Sequence, residues 1–196
     1  MRRGFVALDR DGTVIEERPY LSDPAKVRLL PHAAEGLRAL RAAGYRLALV
    51  TNQSGVGRGY FGMDSVQRVN ERMLALLARE GVTIDGLFVC PHAPEMGCDC
   101  RKPGTRLLEA AARRLGADPS RAFVIGDKAC DIDMGRRAGA TALLVRTGWG
   151  RETEGGGEAR PHYVAADLLE AARLVLAHDP ATGAAGPTGT SVATHS

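Results

Sequence analysis

Phe5-Val6-Ala7-Leu8-Asp9-Arg10-Asp11-Gly12-Thr13 is a short apolar run that stops on an acidic residue. Val6 to Leu8 predict a buried strand ending at Asp9. Residues 10–31 then read as a long loop, punctuated by Pro19, Pro24 and Pro31. The pattern of strand, polar end and helix recurs downstream. Ala33 to Ala43 places Ala34, Leu37 and Leu40 at helical spacing, with Gly44 as the stop. Tyr45 to Val50 predicts a second strand, apolar on both faces as a central parallel strand requires. Thr51 to Gly62 is a Gly-rich loop, and Asp64 caps a helix to Arg79 with Val66, Val69, Met73, Leu76 and Leu77 on one face.

The remaining segments continue the alternation. Leu87 to Val89 predicts a strand, Cys90 to Gly104 an irregular loop, and Thr105 to Leu115 a helix. Ala122 to Ile125 predicts a strand followed by Gly126-Asp127, then a short helix from Asp131 to Ala138 and a strand from Ala142 to Val145. Gly148 to Arg160 reads as a Gly-rich connection, His162 to Val164 as an edge strand, and Asp167 to Ala177 as a final helix. Residues 179–196, rich in Gly, Ala, Thr and Pro, read as a disordered tail. Strands alternating with helices define an α/β fold, here a Rossmann-like three-layer sandwich with a mostly parallel central sheet, forming a single domain over residues 1–178.

Composition sets the outer bounds. The chain has 196 residues, 44% hydrophobic and 25% charged, an ordinary globular mix able to bury a core. That mix argues against a disulfide scaffold, a collagen-like fibre or a wholly disordered chain. No apolar run reaches membrane-spanning length, and Phe5 to Leu8 is too short for a secretory core, so a cytoplasmic protein is expected. The net charge of +3 is mild and its arginines are dispersed, unlike a dedicated nucleic-acid surface.

Parallel sheets bind ligands beyond the C-terminal ends of their strands. The unusual polar residues sit there: Asp9 and Asp11, Thr51-Asn52, Cys90, and Asp127. Two carboxylates at i and i+2 on an extended segment point the same way, with Arg10 pointing elsewhere. Such a pair needs a cation or a shared proton, and Mg²⁺ is a hard cation suited to oxygen ligands. One carboxylate can then attack an electrophile while the other shuttles protons. Taken alone, Asp11-Gly12 equally fits a surface turn.

Asp127 is the residue best placed to complete the Mg²⁺ site, with Lys128 beside it; alone, it reads as a turn residue. Asp131 suits either that site or a helix cap, and Asp133 faces solvent. Thr51-Asn52-Gln53-Ser54-Gly55 makes either an anion cradle or a plain polar loop. Lysine is confined to Lys26, Lys102 and Lys128. Lys102 suits a phosphate oxygen and Arg101 a second acceptor, unless both are solvated loop cations. Cys90-Pro91-His92 and Cys98-Asp99-Cys100 supply three thiolates and an imidazole, a tetrahedral structural Zn²⁺ set with no open position. Zinc there would hold the loop that presents Arg101 and Lys102; the alternative is a set of reduced, unmetallated cysteines. Cys130 reads as a small buried packing residue.

In their order along residues 4–150, these motifs resemble the haloacid dehalogenase superfamily of aspartate-nucleophile phosphatases. Asp9-x-Asp11-Gly12-Thr13 looks like its first motif, Thr51-Asn52 its second, Lys102 its third, and Gly126-Asp127 with Asp131 its fourth. The Cys/His loop is similar to that of the branch holding heptose bisphosphate and histidinol phosphate phosphatases. The run from Thr51 to Gly59 and Gly126-Asp127-Lys128 look more like the heptose enzymes. No stretch is long enough for a separate cap domain, so the chain looks capless.

The resemblance implies that Asp9 is the nucleophile and Asp11 the general acid and base. It implies Mg²⁺ on Asp9, the Asp11 backbone carbonyl and Asp127, with Lys128 near the metal. Thr51 and Lys102 would hold the transferring phosphoryl group, with Arg101 a further catalytic residue near the substrate. Substrate contacts would come from Glu17, Arg18, Pro19, Tyr20, Asn52, Gln53, Ser54 and Arg101, with Arg58 a candidate for a distal phosphate. The expected activity is removal of the C7 phosphate of a heptose 1,7-bisphosphate. Histidinol phosphate is the alternative substrate. A non-enzymatic zinc module binding nucleic acid is a remote third reading, since it leaves the carboxylates without a purpose. The expected partner is a small sugar phosphate, with no nucleic acid, no membrane and a monomeric chain.

Overall fold

A computed structural model describes residues 4–179; the predicted tail, Asp179 apart, lies outside them. Six strands form the sheet: β1 (Phe5–Leu8), β2 (Arg46–Asn52), β3 (Gly86–Cys90), β4 (Phe123–Gly126), β5 (Thr141–Val145) and β6 (Tyr163–Ala165). Their order is β3-β2-β1-β4-β5-β6, and each pairing is parallel. The helices are α1 (Ala33–Ala42), α2 (Ser54–Gly57), α3 (Met63–Arg79), α4 (Arg106–Leu115), α5 (Ala129–Arg137), α6 (Gly150–Gly156) and α7 (Leu168–His178).

The period of two along each strand divides the core into two faces. Val6, Leu8, Leu47, Leu49 and Ile125 face Leu37 and Leu40 of α1, Val69, Met73 and Leu77 of α3, and Val175 of α7. Phe5, Ala7, Ala48, Val50 and Val124 face Leu108, Ala111 and Leu115 of α4 and Met134 of α5. The result is a helix–sheet–helix sandwich. Each large side chain fully withdrawn from water contributes roughly 1.5–3 kcal/mol. Every residue of β1 is buried, and it lies at the middle of the sheet, between β2 and β4. The chain runs outward in both directions from that point, so the crevice at the C-terminal ends of β1 and β4 is a topological switch point.

Two segments carry more structure than their composition suggests. The Gly-rich connection after β5 contains α6, and the Gly-rich loop after β2 contains the single turn α2. Propensity alone would not form α6. It is pinned by the Thr153 hydroxyl, which donates to the Asp127 carbonyl at 2.8 Å, and Gly157 at φ +67° ends it. In the loop after β1, Ile15 bridges to Leu29, and Asp23 caps a 3₁₀ turn at Pro24–Lys26. No helix among the described residues is long and apolar enough to cross a membrane.

Candidate active site

β1 ends at the switch point and delivers Asp9 to the floor of a cavity of about 280 Å³. Lys102 Nζ reaches Asp9 Oδ1 at 2.7 Å, the Val50 carbonyl at 2.8 Å and Asp131 Oδ1 at 2.6 Å. This lysine is only 3% exposed. Burial alone would depress its pKa, but the Asp131 and Asp9 carboxylates outweigh burial and hold it above the ordinary lysine value. Asp131 also caps α5, its Oδ2 accepting from the Lys128 amide at 3.1 Å. Both readings of Asp131, site and cap, are thus combined in one side chain.

Asp127 is fully buried beneath the cavity. Its Oδ2 accepts from the Trp149 amide at 2.9 Å, while its Oδ1 has no hydrogen-bond partner among the described residues. Burial, reinforced by the Asp9 charge, pushes its pKa up to about 8. A buried carboxylate oxygen left without a donor demands a proton or a cation. Oxygens of Asp9, Asp127 and Asp131 lie within 4.8 Å of one another. Both oxygens of Asp131 are engaged, Oδ1 by Lys102 and Oδ2 by the Lys128 amide, whereas Lys102 takes only Oδ1 of Asp9, so Asp9 and Asp127 are the carboxylates left to hold a hard divalent ion. Gly12 makes this packing possible: at φ +79°, an added Cβ would lie 2.2 Å from Asp127 Oδ2.

Arg10 departs from expectation. It does not point away from the two carboxylates but folds back, 1% exposed, onto Asp11. Nε donates to Asp11 Oδ2 and an Nη to Oδ1, both at 3.0 Å. The other Nη donates to Asn70 Oδ1 of α3 at 2.8 Å. A guanidinium taken out of water needs such partners, and the turn at Gly12 brings the adjacent carboxylate within reach. Gln53 Nε2 donates both to Asp11 Oδ2 and to Thr51 Oγ1, each at 2.8 Å. Asn52 binds the Lys102 backbone twice, accepting from its amide at 3.1 Å and donating to its carbonyl at 3.3 Å. The loop after β2 therefore fixes the segment that carries Lys102.

The cavity wall includes Glu17, Arg18, Pro19, Tyr20, Arg101 and Lys128. Asn52, Gln53, Ser54 and Phe61 also line it, whereas Thr51 lies beneath Gln53. Lys128 Nζ meets Glu17 Oε2 at 2.6 Å, tying the loop after β1 to the start of α5. Burial raises the Glu17 pKa, opposed by Lys128. Burial would lower the Lys128 pKa, but Asp127, Asp9 and Glu17 hold it high. The Tyr20 ring stands edge-on to Tyr60 at the rim, with centroids 4.7 Å apart. Arg58 is not among the lining residues; its guanidinium pairs with Glu95 at 3.2 Å. Cys130 lies half-buried in the cavity wall, not in the packed core. It belongs to the first turn of α5, which faces the site. Its thiol is pushed up to about 12 by burial and Asp131.

Cys90, His92, Cys98 and Cys100 form a second cluster. Their sulfurs lie 3.3–3.6 Å apart, and His92 Nδ1 lies 3.3 Å from Cys100 Sγ. The edge of a tetrahedral zinc–thiolate site is ~3.8 Å, so an outward adjustment of a few tenths of an ångström would seat the ion. Burial and Cys100 push the Cys90 thiol up to about 12. At Cys98 burial is outweighed by the Cys100 and Cys90 hydrogen bonds, which lower its pKa to about 7. The Cys90 carbonyl accepts from the Gln53 amide at 2.7 Å and the Pro91 carbonyl from the Gly57 amide at 2.8 Å. Arg101 donates to the His92 carbonyl at 3.3 Å. The cluster therefore braces both cavity loops.

Several site residues lie beyond the sequence reading. Arg10 enters through its contact with Asp11, Asn70 through its bond to Arg10, and Phe61 through the cavity wall. Asn70 carries a faint signal, being a lone amide on the apolar Val66–Met73–Leu77 stripe of α3. Thr147 donates to the Gly12 carbonyl at 2.6 Å, and the Trp149 amide holds Asp127. Those contacts span the sheet and leave no local pattern.

Residues 99–171 match the HAD-hydrolase-like family, and relatives cover nearly the whole chain; the protein belongs to the HAD-like hydrolases. It is similar to the D-glycero-D-manno-heptose-1,7-bisphosphate 7-phosphatase of Thermosynechococcus vestitus, 38% identical over 91% of this chain and 98% of that protein. The D-glycero-beta-D-manno-heptose-1,7-bisphosphate 7-phosphatase of Pasteurella multocida is 36% identical over 87% of this chain and 95% of its own. Among solved structures, the D,D-heptose 1,7-bisphosphate phosphatase of B. bronchiseptica, complexed with magnesium and phosphate, superposes with a TM-score of 0.84. It is 33% identical, covering 90% of this chain and 99% of that one.

Proposed function

We propose that the chain is a phosphoric monoester hydrolase that removes the C7 phosphate of D-glycero-D-manno-heptose 1,7-bisphosphate through an aspartyl-phosphate on Asp9. The observation that carries this reading is the Asp9–Lys102–Asp131 ion cluster beside the orphaned Asp127 oxygen at the switch point. Asp9, held by Lys102, attacks phosphorus; the bond to the sugar oxygen breaks, and that oxygen takes a proton from Asp11. Water then attacks the aspartyl-phosphate, its proton passes to Asp11, and the bond to Asp9 breaks. Phosphoryl transfer depends on positioning and charge neutralisation. Lys102 supplies a fixed positive charge. Thr51 Oγ1 accepts from Gln53, which leaves its own hydrogen free to donate to a phosphoryl oxygen. Mg²⁺, held by Asp9, Asp127 and the Asp11 carbonyl near Lys128, would neutralise the remaining charge. Zn²⁺ on Cys90, His92, Cys98 and Cys100 would have a structural role, fixing Arg101 and Lys102.

Glu17, Arg18, Pro19 and Tyr20, with Asn52, Gln53, Ser54 and Arg101, supply the sugar contacts in this reading. The relatives described above favour a heptose over histidinol phosphate. A cytoplasmic, monomeric enzyme accords with it, since sugar phosphates are internal metabolites and the thiol cluster needs a reducing compartment. The test is a comparison of kcat/KM on both anomers of the heptose bisphosphate and on histidinol phosphate. The expected result is a preference of at least about 100-fold, or ~2.7 kcal/mol of transition-state binding, for a heptose anomer. Equal, feeble rates on all three would overturn the assignment.

A further inference from the structure

Arg10 is among the largest fully buried side chains of the protein, and it is charged. Burying a guanidinium in this core is costly unless every partner is in place. An apolar residue at the same point would pack against α3 without that cost. The partners are specific. Two nitrogens grip both oxygens of Asp11, and the third is held by Asn70, itself 7% exposed on an otherwise apolar helix stripe. Asn70 of α3 thus holds Arg10, and Arg10 in turn holds one carboxylate.

The donors are also unevenly shared. Asp11 Oδ2 accepts from Arg10 Nε and from Gln53 Nε2, which fills both of its lone pairs. Among the described residues, Oδ1 accepts only from an Arg10 Nη. One lone pair therefore remains on Asp11, and it belongs to Oδ1.

We infer that Arg10, held by Asn70, is a positioning residue that orients the Asp11 carboxyl so that Oδ1 gives and takes the catalytic proton. This inference rests on the assignment of Asp11 as general acid and base. In the first step the Oδ1–H bond breaks as the leaving sugar oxygen takes the proton and its bond to phosphorus breaks. In the second, Oδ1 takes a proton from water as the water oxygen bonds to phosphorus and the Asp9–phosphorus bond breaks. A lysine at position ten has no fork and cannot hold both oxygens. The device acts on proton transfer and not on phosphate binding, so its loss has a distinctive signature.

The test uses Arg10→Met, which keeps length and removes the fork, with the full-length, magnesium-loaded enzyme. On heptose bisphosphate, kcat falls by ~100-fold or more while KM stays within ~3-fold, the scale of lost general acid–base catalysis. On p-nitrophenyl phosphate the leaving phenolate needs no proton, so the first step survives and only the second slows. Rapid mixing then shows a burst of one p-nitrophenolate per site, followed by slow turnover. Arg10→Lys restores less than about a tenth of the lost kcat. An unchanged kcat, or equal slowing of both steps with no burst, would overturn the inference. If Arg10→Met does not fold, Asn70→Ala, which frees the guanidinium, gives the same burst with a smaller loss, and its absence overturns the inference equally. Asp11→Asn separates the two levels. Full activity in Asp11→Asn refutes the acid–base assignment itself, whereas a burst in Asp11→Asn without one in Arg10→Met refutes only the role of Arg10.

Discussion

Replacing Asp127 with asparagine should stabilise the magnesium-free protein while abolishing its response to the ion. Asp127 is fully buried, its Oδ1 lacks a donor, and burial together with the Asp9 charge lifts its pKa from 3.8 to about 8. Because folding raises this pKa, the fold binds the proton more tightly than the unfolded chain does. The associated stability is fully present below pH 3.8 and is lost as the pH climbs toward 8. A shift of that size, at ~1.36 kcal/mol per unit, corresponds to a loss on the order of 5 kcal/mol at alkaline pH. In Asp127→Asn the carboxamide oxygen would keep the bond from the Trp149 amide. Its nitrogen would turn toward Asp9, exchanging repulsion for attraction. Recovering ~2–4 kcal/mol raises Tm by ~5–15 °C in a chain of this size. The assay is thermal unfolding at about pH 5 and about pH 8.5, on either side of the folded-state pKa, after gel filtration into magnesium-free buffer. A chelator is avoided because it would also strip the thiol cluster. The parent should lose Tm between the two pH values and regain it on adding Mg²⁺. The variant should do neither, and in the alkaline buffer should melt above the magnesium-free parent. A variant melting at or below that parent would refute the reasoning.

Two further perturbations probe the supports of the site. Asp131→Asn removes one of the two carboxylates that hold the buried Lys102 ammonium, and should lower kcat by ~10- to 100-fold with the protein still folded; unchanged kcat would show that Asp9 alone suffices. Stripping zinc with a thiol-reactive agent should raise amide exchange across residues 91–104, which carry three of the four ligands, and around Gln53 and Gly57, whose amides bond the Cys90 and Pro91 carbonyls, before the sheet strands exchange. Metal analysis finding no zinc in freshly purified protein, or exchange rising uniformly, would contradict the bracing role.

The sheet is legible in the sequence because its strands are near-continuous apolar runs ending on polar residues. Leu8 to Asp9 and Ile125 to Asp127 are such endings, and a parallel strand buried on both faces leaves little other choice. Helices α3 and α4 announce themselves through apolar spacing. Helix α6 does not, because its support comes from Thr153 bonding to Asp127, a contact that spans 26 residues. The convergence of Asp9, Lys102 and Asp127 on one rim follows from strand ends and motif order. Their mutual distances do not, since Lys102 reaches Asp9 across 93 residues. Arg10 escapes the sequence rule because alternation along an extended segment sends neighbours to opposite sides. That rule fails where Gly12 turns the chain and a buried charge seeks the nearest carboxylate. Cys130 departs from the packing role because thiol burial is only a frequent default, while the start of α5 presents its first residues to the cavity.

The central claim is that Asp9 becomes phosphorylated during turnover. Rapid acid quenching of the enzyme with heptose bisphosphate radiolabelled at the C7 phosphate, followed by peptide mapping, tests it directly. Label should appear on the peptide holding Asp9 within a single turnover, and should vanish in Asp9→Asn without loss of the fold. Phosphate released at the full catalytic rate with no label ever trapped on that peptide, or turnover retained in Asp9→Asn, would contradict it.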